Sequence, residues 1–254
     1  MTVSNRFVLV DGLDYSGKTT VINTLREWAV AKNLKILDLK DYCQKYGRFP
    51  EPDDLNRFDV IVSSEPSYSF VGKAIREELI KENERKYSAQ SLAMAFALDR
   101  EILYRRVILP ALEKEKFVFQ ERGLISSLVY QPVQEHITIA DLMRLPGNRL
   151  AMENSPGIII ITRVSADLGM QRVQLRLSRS ISIFDNLLFQ RKIEERYSSL
   201  WLKSLFEKQG SRFFYIDNNP PKTPDDVRNE TLKLWESTLN EDEDKSNEVQ
   251  KSLM

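Results

Sequence analysis

The chain has 254 residues, and its 37 lysines and arginines balance 37 aspartates and glutamates, giving zero formal net charge. That length suits one large α/β domain with a substantial core, and the balance argues against a nonspecific grip on nucleic acid, which needs a basic stripe. A single cysteine, Cys43, excludes an internal disulfide framework, and a single histidine, His136, excludes a multi-histidine metal site.

Strand-like apolar runs alternate with helical patterns, the rhythm of a parallel sheet with crossover helices. Phe7–Val10 reads as a buried strand, and Val21, Ile22, Leu25, Trp28 and Ala29 mark one face of a helix over 18–32. Strands are expected next at Lys35–Leu39 and Val60–Ser63. Between them residues 40–58, with Gly47, Pro50 and Pro52, read as an irregular insertion or a short extra helix. Amphipathic stretches follow at 72–83 and 88–113, the second carrying Pro110 where it should kink or end the helix. The remaining strands are Phe117–Gln120, Ile158–Thr162 and Phe213–Ile216, with helical patterns over 138–153, 166–178, 184–208 and 223–237. The first 237 residues therefore read as one domain, and 238–254, which lacks an apolar stripe, as a charged, disordered tail.

The longest aliphatic run, Ile158–Ile161, is far too short to cross a bilayer. No signal-peptide pattern follows Arg6, and Cys43 reads as a small packing residue suited to a reducing compartment. A soluble, cytoplasmic protein with no membrane or nucleic-acid partner is expected.

Gly12-Leu13-Asp14-Tyr15-Ser16-Gly17-Lys18-Thr19 fits G-x-x-x-x-G-K-[ST], a loop whose backbone amides cradle the phosphates of a nucleoside triphosphate. It stands between a strand and a helix, the setting that such a loop requires. Glycines let the backbone fold around phosphate, where a Cβ would obstruct it. Gly12, Tyr15, Ser16, Gly17, Lys18, Thr19 and Thr20 are thus expected to hold that triphosphate. Lys18 supplies positive charge to the β- and γ-phosphates, and Thr19 a hydroxyl to Mg²⁺.

Three further blocks narrow the reading. Ala95-Phe96-Ala97-Leu98-Asp99-Arg100, Ile108-Leu109-Pro110-Ala111-Leu112-Glu113 and Ser126-Ser127-Leu128-Val129-Tyr130-Gln131 stand in this order after the loop. Together with Phe7–Thr20 they resemble the thymidylate kinase family, whose corresponding motifs are F-A-x-D-R, I-x-P-A-L-E and S-S-x-A-Y-Q. The resemblance spans roughly residues 6–235. It implies a doubly wound, parallel five-stranded α/β sheet with helices on both faces, of the P-loop NTPase type, and a helical lid near 172–186. It also implies Mg²⁺-dependent transfer of the γ-phosphoryl of ATP to dTMP, and a homodimer.

The resemblance also suggests roles. Asp14 would accept a hydrogen bond from the deoxyribose 3′-hydroxyl. Phe96 would stack on thymine while Arg100, four residues on and so on the same helical face, donates to a base carbonyl. Ser127 would touch the base, and Tyr130 would crowd the 2′ position. Glu121 would hold Mg²⁺ directly or through water, and Arg122 would clamp the acceptor phosphate. Arg176 and Arg179 would close from the lid, making them catalytic alongside Lys18 and Arg122. Other readings remain: Phe96 in the core with Arg100 paired to Asp99 or Glu101, Ser127 and Tyr130 as plain helix residues, and Glu121–Arg122 as a structural ion pair.

The chain also departs from the family. Where T-R-E-P-G-G-T is common it has Ser63-Ser64-Glu65-Pro66-Ser67-Tyr68-Ser69, so a serine replaces the phosphate-binding arginine. Lys73 or Arg76 is the candidate to reach in. Glu121-Arg122-Gly123 replaces D-R-Y, and Tyr15 a usual glycine. These changes leave open a different deoxynucleoside monophosphate or a deoxynucleoside as acceptor, or a nucleotide-binding protein with impaired catalysis.

Overall fold

Strand β1, Phe7–Gly12, is buried at every position, and the sheet is built outward from both of its edges. The computed structural model describes residues 4–81, 84–85, 87–134, 137–175 and 186–252. The other strands are β2 (Ile36–Asp38), β3 (Val60–Ser64), β4 (Phe117–Glu121), β5 (Ile158–Arg163) and β6 (Arg212–Asp217). They pair in the order β2-β3-β4-β1-β5-β6, every pair parallel. The sheet thus has six strands rather than the expected five: β6 runs the full length of β5, from Ile158 opposite Arg212 to Arg163 opposite Asp217. The central strands are almost uniformly apolar because helices cover both of their faces.

One face packs against α1 (Lys18–Ala31) and α12 (Pro224–Ser252). Val8, Val10, Val60 and Val62 meet Val21, Leu25, Trp28 and Trp235 there. Trp235 stands edge-on to Trp28 at 5.2 Å and to Phe119 at 5.6 Å between ring centroids. The opposite face carries α4 (Ala89–Leu103), α5 (Leu109–Glu113), α6 (Leu124–Gln134), α8 (Pro146–Glu153), α10 (Leu187–Tyr197) and α11 (Leu200–Glu207). Two short helices, α2 (Leu39–Tyr46) and α3 (Phe70–Ala74), flank β3 in sequence, while α7 (Ile139–Arg144) precedes α8 and α9 (Ala166–Gln174) follows β5.

The 40–58 segment is ordered by its own apolar residues: α2 and a 3-10 turn at Asp54–Arg57 bury Leu39, Cys43, Phe49 and Leu55. Burial pushes the Cys43 thiol up to about 11, which fits a packing residue. Pro110 acts one turn ahead of itself. Residues Tyr104–Ile108 form a single π turn in which the Leu109 amide donates to the Tyr104 carbonyl, opening the helix before a residue that has no amide hydrogen.

Other expectations need revision. Helix α6 was not among the anticipated stretches, because burial of Leu124, Ile125, Ser127, Leu128, Val129, Tyr130 and Gln131 leaves no solvated face to make a stripe. The 138–153 stretch splits at Leu145–Pro146, where proline takes the first turn of α8. Helix α12 continues to Ser252, where disorder beyond Ser237 was expected. Thr238 is buried, Arg212 pairs with Glu241 at 2.9 Å, and no glycine or proline follows Pro224 to stop the helix. Most of the anticipated lid, with Arg176 and Arg179, lies outside the described residues, as does His136.

Helix α8 packs against α4 at Gly147, where an added Cβ would come within 1.8 Å of the Ala97 carbonyl oxygen. Gly147→Ala is therefore expected to lower unfolding stability by at least about 1–3 kcal/mol in urea titrations. An unchanged midpoint would contradict this packing.

Candidate active site

The carboxyl ends of β1, β3 and β4 meet where the strand order reverses, the position at which doubly wound sheets bind ligands. The loop from Gly12 to Lys18 leaves β1 there and enters α1 directly. Gly12 has φ +143° and Gly17 φ +97°, and a Cβ at Gly12 would lie 2.4 Å from the Thr162 carbonyl oxygen. Tyr15, at the position usually glycine, also adopts a left-handed φ of +60°, a strain of about 1–2 kcal/mol for a side chain with a Cβ. Arg172 braces it, donating from Nη1 to the Tyr15 carbonyl at 2.9 Å and from Nη2 to the Asn218 carbonyl at 3.1 Å. Asn218 Nδ2 in turn donates to the Ser16 carbonyl at 3.0 Å.

Lys18 is buried, with Nζ donating to the Leu13 carbonyl at 2.5 Å and the Gly12 carbonyl at 3.3 Å. Burial, helped by the nearby Arg122 charge, lowers its pKa to about 8 against the pull of Asp14, Glu121 and Asp11. Thr19 and Thr20 open α1, and Thr19 Oγ1 donates to Glu121 Oε2 at 3.3 Å.

A cavity of about 630 Å³ opens beside the loop, and Asp14, Thr19, Phe96, Arg100, Glu121, Arg122, Ser127 and Tyr130 all line it. Each sequence-derived acceptor residue therefore reaches one space. Phe96 is half-buried on the cavity wall rather than in the core. Arg100 is 1% exposed and does form a salt bridge, but to Glu65 at 2.6 Å, not to Asp99 or Glu101. Asp99 instead accepts from the Ser67 amide at 2.7 Å, and Glu101 pairs with Arg105. Arg100 also donates to Ser127 Oγ at 2.9 Å and to Asn148 Oδ1. Burial raises the Glu65 carboxyl to about 7 despite the arginine beside it.

Glu121 and Arg122 do not pair with each other. Glu121 turns toward Thr19, whereas Arg122, at φ +63°, folds back to Asp14, to Ser126 Oγ at 3.1 Å and to the Gly12 carbonyl at 3.3 Å. Buried Asp11 accepts from the Ser126 amide at 3.0 Å and from Tyr197 OH at 2.8 Å, and lies 3.5 Å from Arg122. Asn148, Asn218 and Tyr197 were not singled out from sequence: each reaches the site from a distant element and belongs to no local motif. At the serine replacing the expected arginine, Arg76 Nη2 donates to Ser64 Oγ at 3.2 Å. Lys73 faces Glu77 across 3.9 Å on the exposed side.

Residues 53–230 match the thymidylate kinase family model. The chain belongs to the thymidylate kinase family. The match starts after the phosphate loop and takes in Phe96, Arg100, Glu121, Arg122, Ser127 and Tyr130 of the cavity lining, while Asp14 lies before it. The chain is 32% identical over 198 residues to the probable thymidylate kinase of Pyrococcus abyssi, covering 76% of this chain and 82% of that protein. It is 24% identical to the thymidylate kinase of Geobacillus sp. strain WCH70, over 86% and 91% of the two chains. The crystal structure of thymidylate kinase from Ehrlichia chaffeensis shares the fold with a TM-score of 0.58 at 19% identity, covering 91% of this chain and 98% of that one. Among the described residues no helix is long and apolar enough to cross a membrane.

Because Lys18 is charged below about pH 8 and neutral above it, ATP affinity should fall as pH rises through that value, approaching about tenfold per pH unit. Calorimetric ATP titrations from pH 7 to 9.5 would show this, and Lys18→Ala should flatten the curve. A pH-independent wild-type affinity would contradict the assigned shift.

Proposed function

We propose that this member of the thymidylate kinase family transfers the γ-phosphoryl of ATP to dTMP, giving dTDP and ADP. The observation that carries the reading is the meeting, in one cavity, of the phosphate-loop side with the Phe96, Arg100, Ser127 and Tyr130 wall. Gly12, Tyr15, Ser16, Gly17, Lys18, Thr19 and Thr20 hold the triphosphate. Phe96 stacks on thymine, and Arg100, aimed by Glu65, Asn148 and Ser127, donates to a base carbonyl. Asp14 takes the 3′-hydroxyl, and Tyr130 fills the space that a 2′-hydroxyl would need.

Thr19 Oγ1 and Glu121 Oε2, 3.3 Å apart, are hard oxygen donors of the kind Mg²⁺ takes together with substrate phosphates and water. Among the described residues no cluster of three histidine, cysteine or acidic side chains is present, and a phosphate-bound Mg²⁺ requires none. When bound, the ion draws charge from the β- and γ-phosphate oxygens.

The transfer asks the protein for position and positive charge rather than covalent chemistry. Lys18 draws charge toward the donor phosphates. Arg122 stands between donor loop and acceptor, where charge spreads over oxygens in the transition state. The acceptor phosphate is already an anion, so no general base is required. Arg176 and Arg179 complete the reading as lid contacts. The enzyme is further read as a cytoplasmic homodimer; exposed Met94 and Leu98 on α4 supply apolar surface for a helix-to-helix contact. Sedimentation as a monomer at micromolar concentration would remove the dimer.

A coupled ADP-release assay with dTMP, dUMP, dCMP, dGMP and thymidine should show turnover fastest with dTMP. Lys18→Ala should reduce kcat by about 10²-fold or more, and Arg100→Ala should raise the KM for dTMP and blunt selectivity among bases. Turnover of thymidine but not dTMP would replace this reading with a nucleoside kinase, and ATP binding without any turnover with a binding protein.

A further inference from the structure

Four arginines line the cavity: Arg26, Arg76, Arg100 and Arg122. Arg26 pairs with Asp38, Arg100 with Glu65 and Arg122 with Asp14. Arg76 differs. Among the described residues no carboxylate lies within ion-pair distance of it. Its Nε donates to the Ser67 carbonyl at 3.1 Å, and its Nη2 to Ser64 Oγ at 3.2 Å and to the Pro66 carbonyl. Its Nη1 makes no hydrogen bond to a described residue. The guanidinium carbon lies 3.9 Å from the centroid of the Tyr68 ring, a cation–π distance.

These contacts fix the group without neutralising it. Carbonyl, hydroxyl and ring orient a guanidinium, but a half-buried cation lacking a counter-ion carries a desolvation penalty that only an anion relieves fully. The location says where that anion would sit. Ser64 ends β3 directly opposite Glu121 at the end of β4, and Glu121 lies 3.3 Å from Thr19 at the mouth of the phosphate loop. Arg76 is close enough to feel the charges of Asp99, Glu121 and Arg122, but Asp99 is outside ion-pair distance and already accepts from the Ser67 amide and hydroxyl.

We propose that Arg76 binds the 5′-phosphate of the acceptor, supplying from α3 and its following turn the cation that position 64 lacks, and that Tyr68 holds its guanidinium in place. The inference rests on a monophosphate acceptor, as proposed above.

The test compares binding of a nucleoside monophosphate with that of its nucleoside, measured calorimetrically on the full chain. Arg76→Gln, which retains hydrogen-bonding capacity without charge, should weaken dTMP binding about 10- to 100-fold, as expected for a charge-assisted contact. Thymidine, which has no phosphate, should bind the variant as it binds the wild type, and this also shows that the pocket is intact. The double variant Ser64→Arg/Arg76→Gln should recover dTMP affinity, a rescue that a purely structural role for Arg76 would not allow. Unchanged dTMP affinity in Arg76→Gln, or equal losses for dTMP and thymidine, would overturn the proposal. The choice of thymine is tested separately: if another base were preferred, the same loss should appear against that monophosphate and spare its nucleoside.

Discussion

The site depends on one parallel step in the sheet, the pairing of Val10 with Glu121. The Arg122 amide donates to the Val10 carbonyl at 2.8 Å, extending the pairing by one residue before the chain turns. With β1 and β4 adjacent, the loop leaving β1 and the arginine leaving β4 emerge side by side. A strand inserted between them would move Arg122 roughly 5 Å from Gly12 and Asp14. The contact that spans donor loop and acceptor wall would then be lost.

Asp11 and Arg122 maintain this junction in different ways. Asp11, fully buried at the end of β1, collects donors from β1, α6 and α10: its neighbour's amide, Ser126 and Tyr197. It therefore ties the loop to helices on one face of the sheet. Arg122 adopts a left-handed backbone that few non-glycine residues take, a conformation that clusters at functional sites because the surroundings must enforce it. That turn sends its side chain back over the loop instead of forward along α6. The two charges then meet across the phosphate loop rather than within one element.

The sheet was legible because its strands are short continuous apolar runs, and all six were placed by that pattern alone. The expected count of five fell one short of these same runs, since all six pair in one sheet. Helices with one wet face, such as α1, were equally plain. Helix α6 was not, because a helix buried almost all round has no period to read. Asp14, Phe96, Arg100, Glu121, Arg122, Ser127 and Tyr130 are read from the order of their motifs, and the fold brings all of them to the lining of one cavity. The partner of Arg100 was not: Asp99 and Glu101 are nearer in sequence, yet the fold directs Asp99 to Ser67 and brings in Glu65 from the end of β3. Sequence proximity ranks partners poorly once a residue is buried, since the fold and not the chain decides which carboxylate arrives.

That partner clarifies what the buried pair contributes. Removing two charges from water typically offsets most of what their attraction returns, so an enclosed ion pair is a weak source of stability. The raised pKa of Glu65 shows burial outweighing its arginine. The pair's value lies in direction. Glu65, Ser127 and Asn148 take donors on both terminal nitrogens of Arg100, so the guanidinium plane is fixed from three elements before any ligand arrives. A planar fork held in advance loses little freedom on binding, and next to the ring of Phe96 it presents donors at one angle. An apolar trio at these positions would leave the guanidinium without a fixed orientation. The stability forgone inside the cavity is drawn from the rest of the fold, where the Trp28–Trp235 cluster and the uniformly buried central strands provide the margin.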